Sequence, residues 1–216
     1  TEQYNGTSWT EVSDLNAPQN AMGSAGTLTS GMSALCGTPS ASSAVEDWNG
    51  SAWSSNPHTL NSARQFPGGD GPSNDSALMV GGEPSPNGAL TEIYNGSTWT
   101  EVADLNTARN QLAAAGTTTA LIAMGGNTGA DAENWNGSAW TAVSDMNRSA
   151  GNGIGGSGNS TAAIAFGGGS PAITSTEVWN GSAWTEVNDL STSRRFFASS
   201  NVTGSTSAYA ASGLNN

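Results

Sequence analysis

The sequence predicts an all-β chain folded as one closed ring of five repeated four-stranded antiparallel units. Three observations predict it. A ten-residue cassette occurs five times: TEQYNGTSWT from Thr1, VEDWNGSAWS from Val45, TEIYNGSTWT from Thr91, AENWNGSAWT from Ala132 and TEVWNGSAWT from Thr176. Its anchor tryptophans Trp9, Trp53, Trp99, Trp140 and Trp184 are 44, 46, 41 and 44 residues apart, and counting from Trp184 around through the two chain ends to Trp9 gives 41. Every cassette also carries Asn-Gly between two aromatic positions, the strongest short signal for a β-hairpin. A ring has a reason to close its count in this way; an open array has none. The competing reading is a fragment of a longer array.

The elements follow in order within the repeat Thr107–Met146. Gln111–Gly116 is a run of small residues, suited to a strand crowded near a ring axis. Ala120–Met124 is continuously apolar, the pattern of a strand covered on both faces. Gly125-Gly126 ends it, because glycine admits positive φ in a turn. A third strand ends at Trp135, and Asn136-Gly137 is expected to form a type I′ turn, with φ > 0 at both central positions, into a fourth strand at Trp140. The same dipeptide stands at Asn5, Asn49, Asn95 and Asn180. Five residues before each anchor tryptophan lies another aromatic: Tyr4, Trp48, Tyr94, Trp135 and Trp179. Each such ring buries about 150–250 Å². Placement at one phase in every repeat marks these rings as packing parts rather than a sugar platform. Units that begin before their inner strand run 16–60, 61–106, 107–147 and 148–191. Residues 192–216 then supply two inner strands, and 1–15 two outer strands, of a fifth sheet. That two-plus-two pairing would leave no exposed sheet edge between the ends of the array.

Composition narrows the function classes. Only 10% of residues are charged and 29 are glycine, which taken alone suits disorder, but eight tryptophans at fixed phases argue against it. Net charge is −12 with five basic residues, all arginine, so the chain has no basic stripe and should repel nucleic acid and anionic membranes. No apolar run approaches the ~20 residues of a membrane helix, so no membrane insertion is expected. The single Cys36, beside Gly37, cannot form an internal disulfide and reads as a buried, unreactive thiol. One histidine, His58, leaves one possible base for a Ser-His-Asp or Cys-His mechanism, and its place in SSNPHTL reads as an exposed turn. Neither catalytic residues nor a metal or cofactor is expected. Asp70, Asp75 and Asp131 read as loop residues whose spacing does not match a calcium loop. The Asn-Gly-Ser/Thr sequons coincide with the hairpin turns.

The order Gly81-Gly82, Tyr94, Trp99, Leu105, Arg109, and again Gly125-Gly126, Trp135, Trp140, Met146, resembles the kelch repeat of β-propellers. The resemblance implies a single five-bladed β-propeller of four-stranded antiparallel blades, closed by a blade shared between the N- and C-terminal segments. Similar arrays resemble repeats in large virion or surface proteins of marine phages and bacteria, which implies an extracellular or virion-surface location. Motifs of this kind specify fold far more than function. Kelch-type copper oxidases need paired histidines with tyrosine ligands, which this sequence cannot provide. NGSAW echoes the Asp box of sialidases but lacks its aspartate.

Function is expected where the repeats fail to match. Arg64, Arg109 and Arg194 share one phase, four residues after the repeat leucine; Gln19 holds it in the first unit and Ala150 in the fourth, with Arg148 two residues earlier. This phase opens the inner strand, so these side chains are expected to ring one mouth of a central channel and to suit a carboxylate, sulfate or acidic sugar. The opposing expectation pairs each arginine with a recurring carboxylate, among them Glu46, Glu92, Glu133 and Glu177, as a structural link. The blade-two insertion Glu83–Leu90 is the other irregular feature. The leading expectation is a non-enzymatic structural or binding module, a monomeric domain or part of a larger assembly, that presents loops and a polar channel mouth to a glycan or protein partner. A lectin-like module holding sugars between blades and a sialidase-like glycoside hydrolase are the alternatives.

Overall fold

The computed structural model describes residues 1–34, 40–84, 86–148, 151–199 and 208–215. Cys36, Gly37 and Ala150 lie outside the described residues. Among those described, short β-strands account for all regular structure apart from one 3-10 turn at Asn87–Ala89. The chain opens with a hairpin, β1 (Glu2–Tyr4) and β2 (Trp9–Glu11). Four sheets follow: β3 (Gly23–Thr27), β4 (Ser30–Ala34), β5 (Val45–Trp48), β6 (Trp53–Ser55); β7 (Gly68–Ser73), β8 (Ser76–Val80), β9 (Thr91–Tyr94), β10 (Trp99–Glu101); β11 (Ala113–Thr117), β12 (Ala120–Met124), β13 (Ala132–Trp135), β14 (Trp140–Ala142); and β15 (Gly155–Asn159), β16 (Ala162–Phe166), β17 (Thr176–Trp179), β18 (Trp184–Val187). Each is four-stranded and antiparallel, with its strands paired in chain order. A second short pair, β19 (Ala198–Ser199) and β20 (Ala210–Ala211), ends the series. The architecture is all-β and β-propeller-like.

Sheet stacks on sheet through apolar slabs. In β12, Leu121 and Ala123 pack towards the preceding sheet, with Leu78 and Val80, whereas Ile122 and Met124 pack towards the following one, with Ala163 and Ala165. These four side chains are fully buried, as a doubly covered strand requires. Each buried Leu or Ile contributes roughly 1.5–3 kcal/mol. The inner strands β3, β7, β11 and β15 lie side by side, and β19 packs on β15. Their small residues permit this crowding. A Cβ on Gly116, at φ +140, would stand 2.1 Å from the Ala120 carbonyl oxygen, and Gly26, Gly71 and Gly158 meet equivalent backbone.

The hairpin turns differ from the expected type I′. The strand pairs Tyr4↔Trp9 and Trp135↔Trp140 leave four residues in each loop, not two. Only the glycines have positive φ, between 87° and 96°. The asparagine acts through its side chain instead: Asn136 Oδ1 accepts the Ser138 and Ala139 amides, both at 2.9 Å, and Asn5, Asn49, Asn95 and Asn180 do the same. This side-chain mimicry of a backbone turn favours Asn as strongly as a left-handed φ does. The flanking rings pair at 5.1–5.4 Å in all five hairpins.

The two chain-terminal pairs form separate two-stranded sheets rather than one sheet of four. The segment Ser207–Ala211 (SAYAA) explains part of the difference, since it offers one bulky residue where β12 offers Leu121, Ile122 and Met124. The β1–β2 hairpin nevertheless sits beside the first sheet as an outer half-blade would. Trp53 Nε1 donates to Thr1 Oγ1 at 3.2 Å, as Trp140 Nε1 donates to Thr91 Oγ1 at 2.9 Å. Gln3 Nε2 donates to the Leu28 carbonyl at 3.4 Å, as Asn134 Nδ2 donates to that of Ser160 at 3.0 Å.

Candidate functional site at the channel mouth

The first strand of the third sheet starts at Ala113, not at Gln111, because Gln111 adopts a left-handed backbone with φ +58. Ala21 (φ 57), Phe66 (φ 56), Gly153 (φ 70) and Phe196 (φ 52) do likewise, each two residues ahead of its own inner strand. These five residues are linked in series. The Phe66 amide donates to the Ala21 carbonyl (3.0 Å), Gln111 to Phe66 (2.9 Å), Gly153 to Gln111 (3.0 Å) and Phe196 to Gly153 (2.9 Å). One backbone girdle thus registers five repeats around a common opening. For a residue other than glycine the left-handed conformation costs about 1–2 kcal/mol.

Inside the girdle lies a cavity of about 790 Å³ whose wall includes residues from all five repeats, among them Met22, Phe66, Gln111, Ile154 and Phe196. None of the described residues that line it is ionisable. The rings of Phe66 and Phe196 meet at 6.4 Å across the first unit, where Ala21 is small enough to leave them room. Phe196 also lies over Gly153, at which a Cβ would come within 2.6 Å of the ring. The Arg195 guanidinium stacks on the Phe196 ring at 5.4 Å. Gln111 Oε1 is buried and accepts no hydrogen bond from the described residues. Met22, Phe196 and Leu214, all of them lining this cavity, are exposed large apolar side chains.

The phase-sharing arginines are elsewhere than the channel wall. Arg64 and Arg109 are buried, and each guanidinium meets a carboxylate of its own sheet. Arg64 pairs with Glu92 and donates to the Gly81 and Leu90 carbonyls at 3.1 and 3.0 Å. Arg109 pairs with Glu133 at 2.5 Å and donates to the Asp131 carbonyl at 2.8 Å. Arg148, from a different phase, reaches the equivalent place, 3.4 Å from Glu177 and 2.8 Å from the Gly167 carbonyl. Burial lowers its pKa below the ordinary arginine value, and Glu177 opposes that shift. Arg194 donates to the Ser212 carbonyl at 3.0 Å, and Gln19 is half-buried. None of the five is among the residues lining the 790 Å³ cavity; strand-three glutamates hold the guanidinium groups of Arg64, Arg109 and Arg148 within their own sheets.

Those glutamates hold more than arginine. Glu133 Oε2 accepts the Asn106 backbone and side-chain amides at 2.9 and 2.7 Å, while Oε1 accepts the Thr107 amide at 3.1 Å. Asn16, Asn61 and Asn147 bind Glu46, Glu92 and Glu177 in the same way. Each asparagine side chain also donates to the carbonyl of its anchor tryptophan. These staples fasten every linker to its blade. The recurring Leu-Asn or Met-Asn dipeptide was their visible signal. The girdle phase, two residues after the arginine phase, carried no signal in the sequence.

Asp70 stands in strand β7 rather than in a loop, because its carboxylate oxygens accept the amides of Gly71 and of Gly116 in the next blade, at 2.6 and 2.5 Å. Burial raises its carboxyl to about pH 7 against the pull of those two amides. His58 is exposed and its ring lies 6.2 Å from Tyr94. Among the described residues no group of three or more His, Cys, Asp or Glu side chains gathers to hold a metal ion, and no helix is long and apolar enough to cross a membrane. No protein-family model matches the chain, and neither does any curated protein sequence.

Proposed function

We propose that the chain is a kelch-like, five-bladed β-propeller that acts as a non-enzymatic binding module, with its ligand site at the girdled channel mouth. The observation that carries this reading is the hydrogen-bonded series Ala21–Phe66–Gln111–Gly153–Phe196 around a single cavity. A rigid ring that repeats its core residues and varies the residues at one opening has the anatomy of a scaffold carrying a site. The lysine-free, acidic exterior suits display on a cell or virion surface.

Closure of the fifth blade belongs to the same reading. In the third sheet Met124 opposes Ala132 and Leu121 opposes Trp135. The matching register would set Ala211 opposite Thr1 and Ala208 opposite Tyr4. Exposed apolar side chains support it. Val102 and Val143 pack into the slab shared with the following blade, whereas their counterpart Val187 is 39% exposed. Tyr4, Trp9 and Tyr209 are exposed on the two halves that would meet. Arg194 already makes the carbonyl contact of Arg64, and Glu2 would complete its cage.

A glycan array probed with the wild-type protein and with a Phe66→Ala/Phe196→Ala double variant tests the function. Binding by the wild type that the variant loses, at unchanged melting temperature, supports the module. Turnover of a sialoside would overturn the non-enzymatic reading.

A further inference from the structure

We infer that the channel mouth takes a neutral saccharide whose pyranose rings lie on the Phe66–Phe196 surface. The inference rests on the channel-mouth reading and names the ligand class of that site. Three observations converge on it.

The first is charge. The chain carries 17 acidic and five basic residues, yet the wall of the cavity has none of them. Arg195 stacks on the outer aromatic ring and does not line the cavity. A charged ligand would give up its hydration there with no counter-charge to receive it. A neutral ligand loses nothing of the kind.

The second is the aromatic surface. Phe66 and Phe196 meet at 6.4 Å and 46°, giving one continuous apolar face that spans from the second unit to the fifth. Phe196 is 40% exposed although its backbone is held at φ 52. A left-handed phenylalanine whose ring is not fully buried gains little from packing, and glycine meets the same backbone requirement at position 153. Strain retained at the rim of a cavity points to use rather than to stability.

Gln111 Oε1 is enclosed by protein and carries no argument about the ligand.

The third is the spread of polar groups. Ser24, Gln111 and Ser199 come from three different units around the wall. A pyranose has apolar C–H faces and hydroxyls on every edge, so it can face the rings and reach several of these groups at once. An indole or phenol side chain offers only one polar edge atom. The cavity, at about 790 Å³, lies in the range of small-molecule sites and exceeds a single hexose, so an oligosaccharide fits better than a monosaccharide.

Isothermal titration of the full chain tests the proposal, with cellotriose, chitotriose, maltotriose and mannotriose as neutral probes. Trigalacturonate is the charged probe and the peptide Gly-Trp-Gly the aromatic one. The expected result is one-to-one binding of at least one neutral trisaccharide and none of trigalacturonate. Phe66→Ala and Phe196→Ala should each weaken it by about tenfold or more, as truncation of a central contact does, with melting temperatures close to wild type. Binding of trigalacturonate or Gly-Trp-Gly with that same dependence on the two variants would keep the mouth as the site and overturn the saccharide. Saccharide binding indifferent to both variants would overturn the mouth itself. If no probe binds and the phenylalanine variants only lower the melting temperature, the rings are a plug, and both readings fall.

Discussion

The indole N–H of Trp53 donates to Thr1 Oγ1 across 52 residues of chain, in the same relation that Trp140 bears to Thr91 one blade earlier in its own sequence. Each bond joins the anchor tryptophan of one blade to the first residue of the third strand in the blade before it. The first fifteen residues therefore hold the place of the unit preceding the first full blade.

The buried staples should dominate stability. Glu133→Gln leaves Arg109 without its carboxylate in a fully enclosed site, and the expected loss is about 3–5 kcal/mol. Glu46→Gln removes only the bonds to Asn16 and Ala17, since no arginine holds that phase in the first blade, and should cost about 1–3 kcal/mol. Chemical denaturation of the two variants checks the order; equal losses would show that the ion pair adds nothing to the amide bonds.

Asp70 gives the chain a pH dependence of defined sign. Its folded carboxyl is raised from 3.8 to about 7 by burial. The folded protein therefore keeps a proton that the unfolded chain has already released. The stability linked to that proton is complete below about pH 4 and is lost as pH rises through 7. Asp70→Asn removes the dependence, so its melting temperature relative to wild type should climb between pH 5 and pH 8. A difference that stays flat, or falls, across that interval contradicts the shift.

Much of the fold was readable because packing repeats. Leu121–Met124 could be assigned to a doubly covered strand from its apolar run alone, and the hairpins from Asn-Gly between rings. Turn type was not readable, because Asn favours both a left-handed φ and a side-chain-capped loop, and only the Tyr4↔Trp9 register separates them. The arginine phase was visible, but its direction depended on which carboxylate lay within reach. Glu92 and Glu133, on a neighbouring strand of the same blade, decided it. The girdle left no residue-type signal, since Ala21, Phe66, Gln111, Gly153 and Phe196 share a conformation and nothing else.

The turn asparagine should be worth more than its surface position implies. Asn136→Ala deletes two backbone-to-side-chain bonds and should cost about 1 kcal/mol. Gly137→Ala, at φ +95, should cost about as much through backbone strain. Thermal melts of both variants measure this, and unchanged midpoints would mean that the loop is held by its aromatic pair alone.

Trp9 separates a closed ring from an open one energetically. It is 57% exposed, whereas Trp140 and Trp184 are buried against the blade before them. If the hairpin seats against Val187 when the fifth blade closes, Trp9→Ala should cost about 3–5 kcal/mol, as a buried tryptophan does. A loss below about 1 kcal/mol would place the ring in solvent.

Amide hydrogen exchange along strands β1 and β20 tests the closed five-bladed ring most directly. Pairing of Ala211 with Thr1 and of Ala208 with Tyr4 predicts protection in Glu2–Tyr4 and Ala210–Ala211 that approaches that of the paired strands β12 and β13. Coil-like exchange in both segments, alongside full protection of the four complete sheets, would contradict the ring.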